Sequence, residues 1–363
     1  MAPVRLRGAH GSAVILSARL IVPRYVRLPT PGMSVHGWLI LDKPVGLGST
    51  QAVSAVKRAL RTGGYGKAKV GHGGTLDPLA SGVLPIALGE ATKVTGRMLD
   101  ADKAYDFTIR FGEETDTLDA EGPVIATSAV RPTLAQVEAV LARFTGPISQ
   151  IPPAYSALKV DGKRAYDLAR AGEQVELASR DVIIHQLTVR HPGPFDGAQD
   201  RLVPGATAPQ AEAPAAEWMP EQIRHDGIKE ITLSALVSKG TYIRSLARDI
   251  AYALGTVGHV IMLRRTKAGP FTLESAISLD ILDQAAKDAR LQELLLPLTA
   301  GLVDIPVLAV SPDQAQALRQ GRRLSGSAAP PGLNLAMLGD LPIALVEVGD
   351  EISVVRGFNL MSE

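Results

Sequence analysis

The densest punctuation in the chain is Gly71-His72-Gly73-Gly74-Thr75-Leu76-Asp77-Pro78-Leu79-Ala80-Ser81-Gly82. Glycines let a backbone approach a ligand closely or take positive φ. Pro78 biases Asp77 away from helical geometry, so the carboxylate projects from extended or turn backbone. An acid placed there, after a long basic stretch, is a candidate nucleophile or base. The alternative is a turn Asp that caps the next element.

A second cluster is Ser238-Lys239-Gly240-Thr241-Tyr242-Ile243-Arg244. Read as the end of a strand over Ile231–Ile243, it puts Gly240, Tyr242 and Arg244 on one face. An aromatic and a guanidinium two residues apart can serve one pocket. The ring stacks on a base, and the guanidinium pairs with Asp77 and holds it ionised and oriented. The alternative is a surface Arg beside a core Tyr. Periodicity alone makes Tyr105 a core aromatic, and His72 by itself is a loop histidine. Histidines number seven and cysteine is absent, and there is no H-x-x-x-H spacing, so a metal site has no support. The missing cysteines exclude disulfides and thiol nucleophiles and fit a reducing compartment.

Other elements must position these residues. A strand is predicted over Trp38–Leu41. A helix after Ser49–Thr50 carries Val53, Val56 and Leu60 at helical spacing. Tyr105, Phe107, Ile109 and Phe111 alternate as in a strand. Thr133 and Gln136 form a capping box before Leu134, Val137 and Leu141. Asp181–Arg190 reads as a strand. Ser245 is expected to cap a helix bearing Leu246, Ile250 and Leu254, closed by Gly255. Ser311, Pro312 and Gln314 open a short helix ended by Gly321, and strand-like runs follow at Ile343–Val348 and Ile352–Val355.

With 363 residues the chain exceeds one ordinary compact domain, and its net charge of +1 is nearly neutral. The charge is unevenly spread. No acid lies between Asp42 and Asp77, while Lys43, Lys57, Arg58, Arg61, Lys67 and Lys69 do. Such a run suits a polyanion, and equally a solvated helix face. No apolar run is long and clean enough to span a bilayer. Residues 1–32 are Arg-rich, acid-free and turn-rich, and are expected to be a disordered extension, with Met33 as the start. Residues 192–226, rich in Pro, Ala, Gly and Gln, are expected to be a disordered insertion between two strands of one sheet. A main domain over 33–298 and a small β-rich module over 299–363 complete the division.

Taken in order, these segments resemble the TruB family of bacterial tRNA pseudouridine synthases, from about Gly37 to Arg265. The blocks are Gly37–Gly46 with its Asp42-Lys43-Pro44 turn, Val70–Ala80 continued by Gly82–Lys93, and Asp102–Tyr105. They continue with Thr115–Thr117 and Asp119–Gly122, Pro152–Lys159, Lys239–Arg244 and His259–Arg265. One block would be weak; this many in order are specific. The family usually has Thr where this chain has Gly73, and the tail resembles a PUA-like RNA-binding module only weakly.

The resemblance implies an α+β pseudouridine synthase fold, with a mixed, largely antiparallel sheet flanked by helices. It also implies isomerisation of uridine to pseudouridine in the T-arm loop of tRNA, at the uridine usually counted as position 55. No cofactor or obligatory protein partner is implied; a cytoplasmic monomer is expected. Asp77 is then the essential carboxylate, attacking C1′ or the base or accepting a ribose proton. Tyr105 stacks on the uracil and acts in proton transfer, Arg244 pairs with Asp77, and Tyr242 and Leu263 line the uracil pocket. Lys43 supports the site. His72 fills the gap left by the extruded base. Rival expectations are a guide-RNA- and partner-dependent synthase, a tRNA-folding RNA-binding protein, and a hydrolase with paired carboxylates. The hydrolase needs a second acid near Asp77, which the acid-free run upstream does not offer.

Overall fold

The computed structural model describes residues 35–156, 158–160, 162–171, 177–190, 227–326 and 329–360. The expected extension at 1–32 and insertion at 192–226 lie outside the described residues.

Strand β1 (Gly37–Lys43) is apolar almost throughout because both of its faces are covered. Leu39 and Leu41 enter one core, while Trp38 and Ile40 enter another. Helix α1 (Ser49–Thr62) buries Val53, Val56 and Leu60 as the spacing predicts. Then come β2 (Val70–His72), β3 (Ser81–Leu88), α2 (Thr95–Asp100) and β4 (Lys103–Phe111), with Phe107, Ile109 and Phe111 buried. A ribbon of β5 (Glu113–Thr115) and β6 (Val124–Thr127) leads to α3 (Leu134–Leu141). The Thr133–Gln136 capping box closes reciprocally, at 3.3 and 2.8 Å.

Strand β7 (Gly146–Gln150) is followed by a ribbon of β8 (Lys159–Val160) and β9 (Lys163–Arg164), and by α4 (Ala165–Arg170). Strands β10 (Arg180–Val189) and β11 (Glu230–Val237) pair antiparallel, so the segment between them does join neighbours of one sheet. Helix α5 (Ile243–Ala253), β12 (Gly258–Ala268), β13 (Phe271–Thr272) and α6 (Leu279–Lys287) complete this part. The main sheet runs β1-β3-β12-β4-β11-β10-β7, with β2 and β13 at its margins. Every pairing is antiparallel except β3 with β12, so the sheet is mixed and largely antiparallel, as expected.

Two expectations around Tyr242 fail. The strand stops at Val237, and Arg244 lies in the first turn of α5, whose N-cap is Tyr242, not Ser245. Gly240, at φ +80°, breaks the alternation that runs on through Ile243, and the Thr241 hydroxyl closes the turn onto the Ser238 carbonyl at 2.9 Å. Tyr242 and Arg244 are therefore neighbours across a helix start, not partners on a strand face.

After Val307 a second sheet forms. Strand β14 (Val307–Ala309) leads to α7 (Pro312–Arg319), capped by Ser311 and Gln314 as predicted. Then β15 (Leu324–Ser325), β16 (Gly332–Leu338), β17 (Leu341–Val348) and β18 (Glu351–Gly357) follow, in the order β14-β16-β17-β18-β15. This small β unit shares a core with β1. Leu335, Leu345 and Phe358 pack with Trp38, Leu298 and Ile305. The Trp38 indole N–H donates to the Leu298 carbonyl at 3.1 Å.

Candidate active site

Asp77 stands on the loop between β2 and β3, with its side chain 40% exposed. The loop is anchored just before it. The buried Ser49 hydroxyl accepts from Leu76 N–H at 2.9 Å and donates to the Leu76 carbonyl at 3.0 Å. Just after it, the Pro78 carbonyl accepts from Gly46 N–H at 2.8 Å and from Lys43 Nζ at 3.4 Å. Lys43 also donates to the carbonyls of Pro44 at 2.9 Å and Leu47 at 2.7 Å. Burial brings the Lys43 ammonium down to about 8, partly opposed by Asp77. Lys43 thus acts beneath the loop, holding backbone.

Arg244, 7% exposed, reaches Asp77 Oδ2 with Nη2 at 2.9 Å. Its Nη1 reaches Asp119 Oδ2 at 3.0 Å, and Asp119 is only 3% exposed. Nη1 and Nη2 also donate to the carbonyls of Thr117 and Tyr155, each at 2.9 Å. Starting a helix at Ile243 aims this guanidinium back into the cleft between two carboxylates, one wet and one dry. Asp119 is itself fixed, accepting from Thr117 Oγ1 at 2.6 Å and Glu121 N–H at 3.0 Å. The preceding Leu118 adopts φ +61°, rare for a side-chain-bearing residue. The Thr115 hydroxyl, bound to the Asp119 carbonyl at 2.6 Å, helps to hold that geometry.

Tyr242 is pinned through its backbone. The Gln150 amide accepts from Tyr242 N–H at 2.8 Å and donates to its carbonyl at 3.0 Å. The Arg180 guanidinium lies 5.6 Å from the centre of the Tyr242 ring. Burial first, with the Asp77 charge adding to it, pushes the phenol upward, so it stays protonated. Tyr105 is half-buried against the same core that holds Leu263 and Ile243, and Leu263 is nearly buried beside Phe107 of β4. His72 ends β2, and burial, with Arg265 nearby, lowers its pKa and leaves the ring neutral. Its buried Nδ1 has no partner among the described residues.

The structure thus brings Asp77 and Arg244 into contact, with Lys43 and Tyr242 within electrostatic reach. Tyr105 and Leu263 share the core that packs on one face of the sheet. The run upstream of Asp77 supplies no second acid, as expected, but the loop after β5 brings two near it. Asp119 shares its arginine, and Glu121 is pushed upward by burial and by the charges of Asp119 and Asp77. Sequence reasoning missed the roles of Asp119, Gln150 and Ser49. Asp116, Asp119 and Glu121 crowd one short loop, and spacing does not choose among them. At Gly73, an added Cβ would sit 2.7 Å from Met98 Cβ, so the glycine is required by packing against α2.

Comparison with known proteins decides the family. Residues 60–195 match the model of the TruB family pseudouridylate synthase N-terminal domain, and residues 244–303 match that of the tRNA pseudouridylate synthase B C-terminal domain. The tRNA pseudouridine synthase B of Novosphingobium aromaticivorans is 59% identical over 327 residues, covering 90% of this chain and 98% of that protein. That of Zymomonas mobilis is 56% identical, covering 91% and 98%.

The chain belongs to the TruB family.

The fold extends further. In a crystal structure of a Cbf5-Nop10-Gar1 complex, the matching chain superposes with a TM-score of 0.61 at 24% identity, covering 88% of this chain and 84% of that one. Within the TruB family frame, the Asp77–Arg244 contact joins the two matched regions, since Asp77 falls in the first and Arg244 opens the second.

Proposed function

We propose that this chain isomerises uridine to pseudouridine in tRNA, at the T-arm loop uridine usually counted as position 55, with Asp77 as the essential carboxylate. The observation that carries the reading is the Asp77–Arg244–Asp119 triangle, in a chain of the TruB family. In the reaction the C1′–N1 bond breaks, the uracil turns, and a C1′–C5 bond forms. In net, one proton passes from C5 to N1. Nothing is oxidised or reduced, so a placed carboxylate and a route for one proton suffice.

Arg244 keeps Asp77 aimed, because a buried guanidinium holds the carboxylate by a charge-assisted contact at 2.9 Å. Asp119 keeps Arg244 from following Asp77 into solvent. Tyr105 stacks on the uracil and serves the proton transfer, and Tyr242 and Leu263 bound the pocket. A uridine inside a folded loop must be extruded first, and the neutral His72 ring fills the gap by stacking. Lys57, Arg58, Arg61, Lys67 and Lys69 are all exposed. They supply salt-dependent phosphate contacts without choosing sequence. The chain works as a cytoplasmic monomer on bare tRNA. A partner-dependent mode has only a fold likeness at 24% identity, to a chain of a Cbf5-Nop10-Gar1 complex, in its favour.

The test is single-turnover conversion in an unmodified tRNA transcript by the purified chain, comparing wild type with Asp77→Asn and Asp77→Ala. Wild type alone forms pseudouridine at the T-loop uridine. Asp77→Ala leaves tRNA affinity within about tenfold, because phosphate contacts supply most of it. Full turnover by either variant rules out Asp77. Tight binding without turnover by wild type favours the partner-dependent or RNA-folding reading.

A further inference from the structure

Two consecutive arginines on β12 are satisfied in opposite ways. Arg264, half-exposed, makes an ordinary two-pronged pair with Asp42 at 2.7 and 3.1 Å. Arg265 is 1% exposed and pairs with no carboxylate among the described residues. Burying a cation without a counter-ion is costly unless every donor finds an acceptor. Here the acceptors are backbone carbonyls: Val83 at 2.7 Å, Thr75 at 3.2 Å and Gly74 at 3.3 Å. Two of the three belong to the loop that carries Asp77.

The base of this arginine is rigid. Arg265 sits in parallel register with Gly82 and in antiparallel register with Tyr105. Gly82, at φ +100°, lies so close that an added Cβ would meet the Arg265 carbonyl oxygen. The guanidinium therefore works from a fixed strand position. Its charge reaches the surroundings of the loop, pushing His72, Lys43 and Lys103 downward after the larger effect of burial.

We propose that Arg265 is a positioning residue for the isomerisation: it pins the middle of the loop whose two ends carry His72 and Asp77, and so sets the distance between the residue that replaces the extruded base and the carboxylate that acts on that nucleotide. The inference rests on the reading of Asp77 as the essential carboxylate. A planar fork with several donors can hold two successive carbonyls, whereas a lysine ammonium is a single point of charge.

The experiment uses the full chain with Arg265→Lys and Arg265→Met. It measures tRNA affinity, single-turnover rate at saturating enzyme, and the thermal midpoint. Misplacing a reacting group by about 1 Å costs on the order of 100-fold in rate. Arg265→Met should therefore lose about 100-fold in rate and Arg265→Lys about tenfold, both with affinity within about threefold of wild type. A rate within threefold for the folded Met variant overturns the proposal. So does affinity falling in step with rate, which would make Arg265 an RNA contact. If neither variant folds, the arginine serves the sheet and the proposal is equally lost. Wild-type protein without turnover would instead sink the reading of Asp77, and this inference with it.

Discussion

Asp119→Asn is the sharpest perturbation of the ion triangle, because it keeps the shape and removes the charge. In the wild type Asp119 takes three donors at 2.6 to 3.0 Å, among them Arg244. Removing one partner of a buried pair costs about 3–5 kcal/mol, since the other charge stays buried. Arg244 still keeps Asp77 and two carbonyls, which argues for the lower end, about 3 kcal/mol. At about 2.1 cal/mol/K of unfolding entropy per residue, 363 residues shift by roughly 1.3 °C per kcal/mol, so the thermal midpoint should fall by about 4 °C. The effect on chemistry is separate. With Asp119 neutral, Asp77 is the guanidinium's only anionic partner of the two, and Asp77 is the more exposed. Arg244 then swings toward it, and a shift of about 1 Å costs about 100-fold in single-turnover rate. Affinity for tRNA should not change. The assay pairs denaturant unfolding with single-turnover conversion, and adds Arg244→Met and the double variant. Because Arg244→Met removes the stranded charge, the double variant should be more stable than the two single losses summed. A stability loss under about 1 kcal/mol for Asp119→Asn, or a strictly additive double variant, would refute the reasoning.

Two further outcomes follow from packing and burial. Lys43 has its folded pKa near 8, below the 10.5 of a free lysine, so between those values the unfolded chain holds the extra proton. Stability therefore rises with pH across that window, and wild type should gain on Lys43→Met between pH 8 and 10.5, read by denaturant midpoints. A flat difference contradicts the burial argument. Gly73→Ala should slow turnover and cost about 1–3 kcal/mol by overpacking. Met98→Ala should not rescue it, because the nearest obstacle, at 2.7 Å, is the Met98 Cβ that alanine retains.

Much of this protein was legible in its sequence, and for local reasons. Strand and helix periods placed β1, α1 and β4, and side-chain capping placed the starts of α3 and α7, because those signals need only a few neighbouring residues. Glycines around Asp77 and a proline after it marked the loop. The motif order implied the family and the pairing of Asp77 with Arg244. What failed first was local too. Tyr242 and Ile243 let the strand be read on past Val237, but Ser238–Thr241 make a turn with Gly240 at φ +80°, and Tyr242 and Arg244 become a helix start.

The rest was decided only by tertiary structure. Asp119 meets Arg244 from 125 residues away, and nothing in the spacing of Asp116, Asp119 and Glu121 says which acid will be buried. Gln150 pins Tyr242 from 92 residues away. Arg264 and Arg265 are indistinguishable in sequence, yet one finds a carboxylate and the other the carbonyls of the loop that carries Asp77. The physical reason is the same in each case. Residue type and period depend on neighbours along the chain, whereas burial and the choice of partner depend on register between strands that meet only when the sheet closes.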